Sequence, residues 1–158
     1  MKPLFFLLLL AFTSQLHAQD LIGHSPKQVR KHMLIYMQQN RYNKFLVEEK
    51  DTEIIFRLRE DSVQPVNFRY EFDSKGKCFA FSTLAHCREC VESALKTTLA
   101  NNKFGWTKLN DSTWISSYRH SLQMVLKKNE EEGAVHTLDI RKMLWSRTWY
   151  NDQLAGKK

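Results

Sequence analysis

Phe68-Arg69-Tyr70-Glu71-Phe72-Asp73-Ser74-Lys75-Gly76-Lys77-Cys78-Phe79-Ala80-Phe81 reads as two strands and the turn between them. Phe68, Tyr70 and Phe72 alternate with polar neighbours, Phe79 and Phe81 resume after the turn, and Gly76 can take positive φ in a tight hairpin. Period-two alternation sends the rings to one face and the charges to the other. The expected sheet is therefore antiparallel, with one face covered and the other polar.

Upstream, Phe45 and Val47 alternate with polar residues, and Ile54, Phe56 and Leu58 do so again after the Lys50-Asp51-Thr52 turn, which completes a four-strand meander. Ser25-Pro26-Lys27-Gln28 precedes it as a helix start: a capping hydroxyl, a proline that needs no N–H at the first helical position, and a glutamine to close the capping box. Val29, Met33, Tyr36 and Met37 then share one helical face, Lys27, Arg30 and Lys31 lie toward the other, and Asn40 is the expected stop. Downstream, a second helix is predicted from Cys87 to about Asn101, with Glu89 and Glu92 in its first turns and Val91, Ala94, Leu95 and Leu99 facing inward. Four strand-like pieces follow, through Phe104 and Trp106; Trp114, Ser116 and Tyr118; Leu122, Met124 and Leu126; and, after the Asn129 to Gly133 turn, Leu138 and Ile140.

The order helix, strand, strand, strand, strand thus occurs twice. Asn43-Lys44-Phe45 echoes Asn102-Lys103-Phe104, and Asp51-Thr52 echoes Asp111-Ser112. The predicted class is α+β: an antiparallel sheet covered on one face by helices, as a tandem α-β-β-β-β pseudo-repeat. A single continuous sheet without duplication is the alternative.

Residues 1–18 carry Lys2, an apolar run from Leu4 to Phe12, a polar stretch and Ala18, the pattern of a secretory signal peptide; the run is too short to cross a bilayer. Export to the periplasm or the medium is expected, with no transmembrane helix in the mature chain. Residues 19–143 form one α+β domain, with possible halves 21–84 and 85–143, and 144–158 form an aromatic segment and polar tail. Loss of Lys2 with the leader leaves 23 basic residues against 17 acidic ones. That excess favours anionic partners, and Lys27, Arg30 and Lys31 are the candidate anion-binding residues. The basic residues are scattered without a long run, so no nucleic-acid partner is expected.

Leu21-Ile22-Gly23-His24-Ser25-Pro26-Lys27-Gln28-Val29 resembles the helix opening of small exported bacterial modules of the beta-lactamase inhibitory protein and outer-membrane assembly lipoprotein type. Tyr70 to Cys78 is similar to the hairpin that follows in such proteins. No cysteine follows the apolar run closely enough to accept a lipid, unlike the lipoprotein members. The resemblance implies a non-catalytic, protein-binding scaffold.

Cys87-Arg88-Glu89-Cys90 is a C-x-x-C at a helix start, where the helix dipole and Arg88 would favour a thiolate. It lacks the βαβ surroundings of thioredoxin-like enzymes, so a structural role is favoured over a catalytic one. Cys78, on its strand, can bond across the strand-to-helix corner, with Cys90 the preferred disulfide partner and Cys87 the alternative; a Cys87 to Cys90 bond competes with both. Adding His86 gives four ligands of the right softness for zinc, but His86 and Cys87 diverge on a regular helix, so no metal is assigned. There is no H-E-x-x-H, no G-x-S-x-G and no glycine-rich phosphate loop; His24, His32, His120 and His136 are isolated in sequence, and adjacent Glu48 and Glu49 would face opposite sides of a strand. No catalytic residue or cofactor is assigned.

The leading expectation is an exported binding or scaffold protein whose partner is another protein or an envelope component. Trp106, Trp114, Trp145 and Trp149 are its candidate contact residues. For the last two, on one helical face with Arg147 between them, packing against the end of the sheet is favoured over exposure. The alternatives are an exported thiol-disulfide oxidoreductase using Cys87 and Cys90, and attachment to anionic polymers through the basic helix face. Oligomeric state is left open.

Overall fold

The computed structural model describes residues 21–59, 66–128 and 135–156, so the expected leader and the expected Asn129 to Gly133 turn lie outside the described residues. Helix α1 (Pro26–Gln39) opens as its capping residues direct: Ser25 N donates to Gln28 Oε1 at 3.0 Å, and at the other end Asn40 Nδ2 donates to Tyr36 O at 2.9 Å. Strands β1 (Phe45–Lys50), β2 (Glu53–Leu58), β3 (Val66–Phe72) and β4 (Cys78–Ala85) follow. Then come helix α2 (Arg88–Ala100), strands β5 (Thr107–Asn110), β6 (Thr113–Ile115), β7 (Leu122–Lys127) and β8 (His136–Lys142), and a short helix α3 (Arg147–Leu154).

All eight strands form one antiparallel sheet in the order β1-β2-β3-β4-β8-β7-β6-β5. The two meanders meet where β4 pairs with β8, with Phe81 opposite Ile140 and Thr83 opposite Leu138. Exchanging the two sets of four strands leaves that order unchanged. This is a property of the connectivity and does not establish a sequence duplication.

Side-chain alternation sorts the faces. Ile54, Phe56, Tyr70, Phe81, Leu138, Ile140, Met124 and Trp114 are buried on one face, in a single cluster with Val29, Met33 and Met37 of α1 and Val91 of α2. The Tyr70 hydroxyl, fully buried there, donates to Met33 Sδ at 2.9 Å. On the opposite face Arg57 grips Glu48 with two bonds of 2.7 and 3.0 Å, Arg69 Nε lies 2.7 Å from Glu53 Oε2, and Lys127 Nζ lies 3.2 Å from Asp139 Oδ2. Glu48 and Glu49 do point apart: Glu49, on the helix side, pairs with Arg30 of α1 at 2.7 Å.

Three expectations are corrected. Phe79 does not continue the inward row of Phe81: the β3–β4 register shifts after Glu71, so Phe72 faces Cys78, which is buried in the core, while Phe79 is half-buried. A bulge adds one residue to one strand and so exchanges which neighbour faces inward. Phe104 and Trp106 are not in a strand, because Asn101 caps a 3₁₀ turn (Asn102–Phe104) and Gly105 takes φ +58°, which drops Phe104 into the core and delays β5 to Thr107. Ser116 and Tyr118 lie beyond β6, where the buried Ser116 hydroxyl accepts from Leu122 N at 2.8 Å and turns the chain into β7.

Ile140 sits at the seam with no exposure. Ile140→Ala is predicted to cost about 2–5 kcal/mol in urea unfolding, by lost burial and a residual cavity. Leu46→Ala, at an exposed edge position, should change stability by less than about 0.5 kcal/mol. Both variants should unfold in one transition; two separate steps would show that the meanders fold independently.

Candidate functional site

The last rungs of the register fix one end of the sheet. Lys50 faces Glu53, Glu53 faces Glu71, Glu71 faces Ala80, Ala80 faces Arg141, Arg141 faces Gln123 and Gln123 faces Ile115. At this end lies the Asp73–Gly76 hairpin, whose Asp73 Oδ1 accepts from Lys75 N and Lys77 N at 2.9 Å each while Gly76 turns with φ +66°. Helix α1 starts here as well, tied down by Gly23 N donating to Cys78 O at 2.7 Å and Cys78 N donating to His24 O at 2.9 Å. The β6–β7 connection, Trp106 just before β5, and the exit of β8 into α3 complete this hairpin end.

Three of the four candidate tryptophans reach it. Trp106 is half-buried beside Phe104, with a ring separation of 6.0 Å. Trp145 precedes α3 and stacks on Trp149 at 5.2 Å and on Tyr150 at 5.7 Å; Tyr150 in turn meets Tyr118 at 5.5 Å. The stack is held by Ser146, whose hydroxyl caps α3 by accepting from Trp149 N at 3.1 Å. Trp114 does not belong to the group, being buried in the core opposite Met124.

The expectation that the C-terminal aromatics are packed away is corrected. No residue of α3 is buried; Trp149 is 37% exposed, Leu154 47%, Tyr118 41% and Leu144 fully exposed. Eight residues with no buried side chain supply no core-facing stripe, while Trp145 and Tyr150 are half-buried, packing on Trp149 and Tyr118. Basic residues share this end: Arg119, Arg141, Lys142 and Arg147 are exposed, and among the described residues no carboxylate pairs with any of the four. Lys142 Nζ donates to His120 O, bracing the β6–β7 connection against the end of β8. Sequence reasoning missed this gathering of charge at one end and the exposure of Leu144. The available signal was the run from Arg141 to Tyr150, with three basic residues, a leucine, two tryptophans and no acid.

Of the candidate anion-binding residues, Lys27 and Lys31 are exposed on the first turns of α1 at this same end, whereas Arg30 is committed to Glu49. His24 and His32, isolated in sequence, come together with ring centroids 5.8 Å apart.

The cysteines lie elsewhere, and the preferred pairing is corrected. Cys87 bonds Cys90 at the start of α2, with Cα atoms 5.2 Å apart, and Cys78 is free. The eight residues of β4 separate Cys78 from α2, and a strand rises about 3.3 Å per residue, so Cys78 is at the hairpin end while Cys87 and Cys90 are at the opposite one. The four residues considered for zinc are divided in the same way. Cys87 also caps α2, its Sγ accepting from Cys90 N at 3.1 Å.

On the open face, Gln123, Val125, Lys127, Asp139 and Arg141 line a depression of about 220 Å³. Small-molecule sites usually enclose roughly 300–1,000 Å³ behind apolar walls. Glu53, beneath the Arg69 guanidinium, is held below the ordinary carboxylate range first by its hydrogen bond to Lys50 and then by Arg69. Lys127 is paired with Asp139, and Glu53 with Lys50 and Arg69, so the carboxylates of this face are each held by a cation. No known protein family, curated protein or solved structure matches the chain.

Burial pushes the Cys78 thiol up to about 12 and the Tyr70 hydroxyl well above its ordinary range. A thiol reagent should therefore find no reactive cysteine in the folded, unreduced protein and one after unfolding. Since the folded pKa of Cys78 lies above the unfolded value near 9, its contribution to stability is complete below pH 9 and is lost as pH rises toward 12. Urea midpoints should fall above pH 9, and less steeply in Cys78→Ala.

Proposed function

We propose that this chain is an exported, non-catalytic binding module that contacts another envelope macromolecule through the hairpin end of its sheet. The observation that carries the reading is the Trp145–Trp149–Tyr150 stack, left outside the core cluster at an end of the sheet that also exposes basic residues free of carboxylate partners among the described residues. Exposed tryptophan, tyrosine and arginine are the side chains that supply most contact energy at macromolecular interfaces, because large rigid rings lose little conformational freedom on burial. None of these three rings belongs to the core cluster. The resemblance to exported binding modules of the beta-lactamase inhibitory protein type points to the same class of function.

The test is site-specific cross-linking in the native host. A photo-reactive phenylalanine analogue replacing Trp149 should give a discrete adduct, and the same probe replacing Lys96, exposed on α2, should give none. Adducts from position 96 without any from 149 would reject this surface.

One observation favours a second reading. The Cys87–Cys90 disulfide is half-exposed at a helix start, the local setting of a thiol oxidoreductase. Against it stands the sheet, which is antiparallel throughout and contains no βαβ unit among the described residues. On the binding reading, replacing both cysteines by serine costs about 2 kcal/mol of stability, the loop-closure value for so short a span, and leaves the cross-links intact. Catalysed disulfide reduction by the wild type, abolished in that variant, would favour the second reading instead.

A further inference from the structure

We propose that the macromolecule met by the hairpin end is an anionic lipid bilayer, docked from one side: Leu144 and Trp149 enter the headgroup boundary, and the basic residues at this end hold the phosphates. The proposal rests on the binding reading above and names its partner.

Two features of this end select lipid over protein. First, the patch projects. Leu144 is 101% exposed immediately before Trp145, and Leu154 and Trp149 stand half out of the surface. Interface anchors between proteins are usually aromatic or arginine side chains seated in preformed pockets, and leucine is under-represented among them. A projecting aliphatic tip beside indole rings needs a medium that closes around it, as acyl chains and headgroups do.

Second, the charge is complementary to such a surface. Arg119, Arg141, Lys142 and Arg147 are exposed at the same end of the sheet as the rings, Arg141 on its open face, and Lys75 and Lys77 add to the basic charge at the hairpin. Asp73, the acid nearest those lysines in sequence, is occupied by backbone amides of its own turn. Basic residues beside an apolar tip add attraction to an anionic leaflet without spanning it. No helix among the described residues is long and apolar enough to cross a membrane, so attachment through this end is peripheral.

Co-sedimentation with vesicles tests the proposal, using protein recovered after export and shown by mass to lack the apolar stretch from Leu4 to Phe12. Wild type should bind vesicles containing phosphatidylglycerol, weaken as salt rises, and bind phosphatidylcholine vesicles at least about tenfold less well. Arg141→Glu with Arg147→Glu should lower affinity by about 25-fold or more, at about fivefold per basic residue. Leu144→Ser with Trp149→Ser should abolish binding while the protein still unfolds cooperatively in urea with only a small drop in midpoint, since neither side chain belongs to the core cluster although Trp149 stacks on Trp145. In wild type, indole emission should shift to the blue on anionic vesicles.

Equal affinity for both vesicle types, unchanged binding by the variants, or saturable binding to a soluble anionic polysaccharide in place of vesicles would overturn the proposal. Absence of vesicle binding together with a surviving protein adduct from position 149 defeats the lipid assignment and leaves the wider contact reading standing. Absence of both defeats the two together.

Discussion

The pairing of β4 with β8 is the constraint on which the rest of this structure depends. Each meander alone is a four-stranded sheet with one helix, and its innermost strand would be an open edge of unpaired backbone groups. Joining the two strands satisfies both edges and brings Phe81 against Ile140 beneath the helices. It also makes one core out of two layers too small to be well buried separately. The outer edges that remain are blunted by their composition: β1 ends in Glu48-Glu49-Lys50, and β5 is only four residues long.

That seam also decides where the chain's unusual residues meet. Because β4 and β8 are antiparallel, the exit of β8 falls beside the hairpin that opens β4, and α3 is delivered to the same end as the start of α1. Residues far apart in sequence are thus gathered: Lys27 and Lys31, Lys75 and Lys77, Tyr118 and Arg119, and the run from Arg141 to Tyr150. The disulfide is carried to the opposite end by the length of β4. The aromatic stack and the disulfide are therefore separate features of the molecule, one at each end of the sheet.

Much of the architecture was legible because it is written in periodicity. The capping residues Ser25, Pro26 and Gln28, the alternation through Phe56, Tyr70 and Met124, and the turn at Gly76 each act within a few residues, and each element formed where its pattern lies. The misreadings came from events that periodicity does not record. A one-residue bulge exchanged Phe79 for Cys78 on the core face, a left-handed Gly105 displaced Trp106 from a strand, and a full-length β4 put Cys78 out of reach of Cys90. The candidate site was the least legible part. All four tryptophans are candidate contacts by sequence, with packing favoured for the C-terminal pair, yet it is Trp114 that joins the core cluster, while Trp145 and Trp149 stack on each other outside it.

Hydroxyl-radical footprinting of the protein, free and on its native envelope, tests the central claim most directly, since it reads every aromatic side chain at once. In the free protein Trp149 should oxidise readily and Trp114 hardly at all, and on the envelope the segment from Leu144 to Tyr150 should become protected while exposed positions on α2 do not change. Oxidation of Trp149 at the same rate in both states, or protection confined to the opposite end around Cys87 and Cys90, would contradict the account.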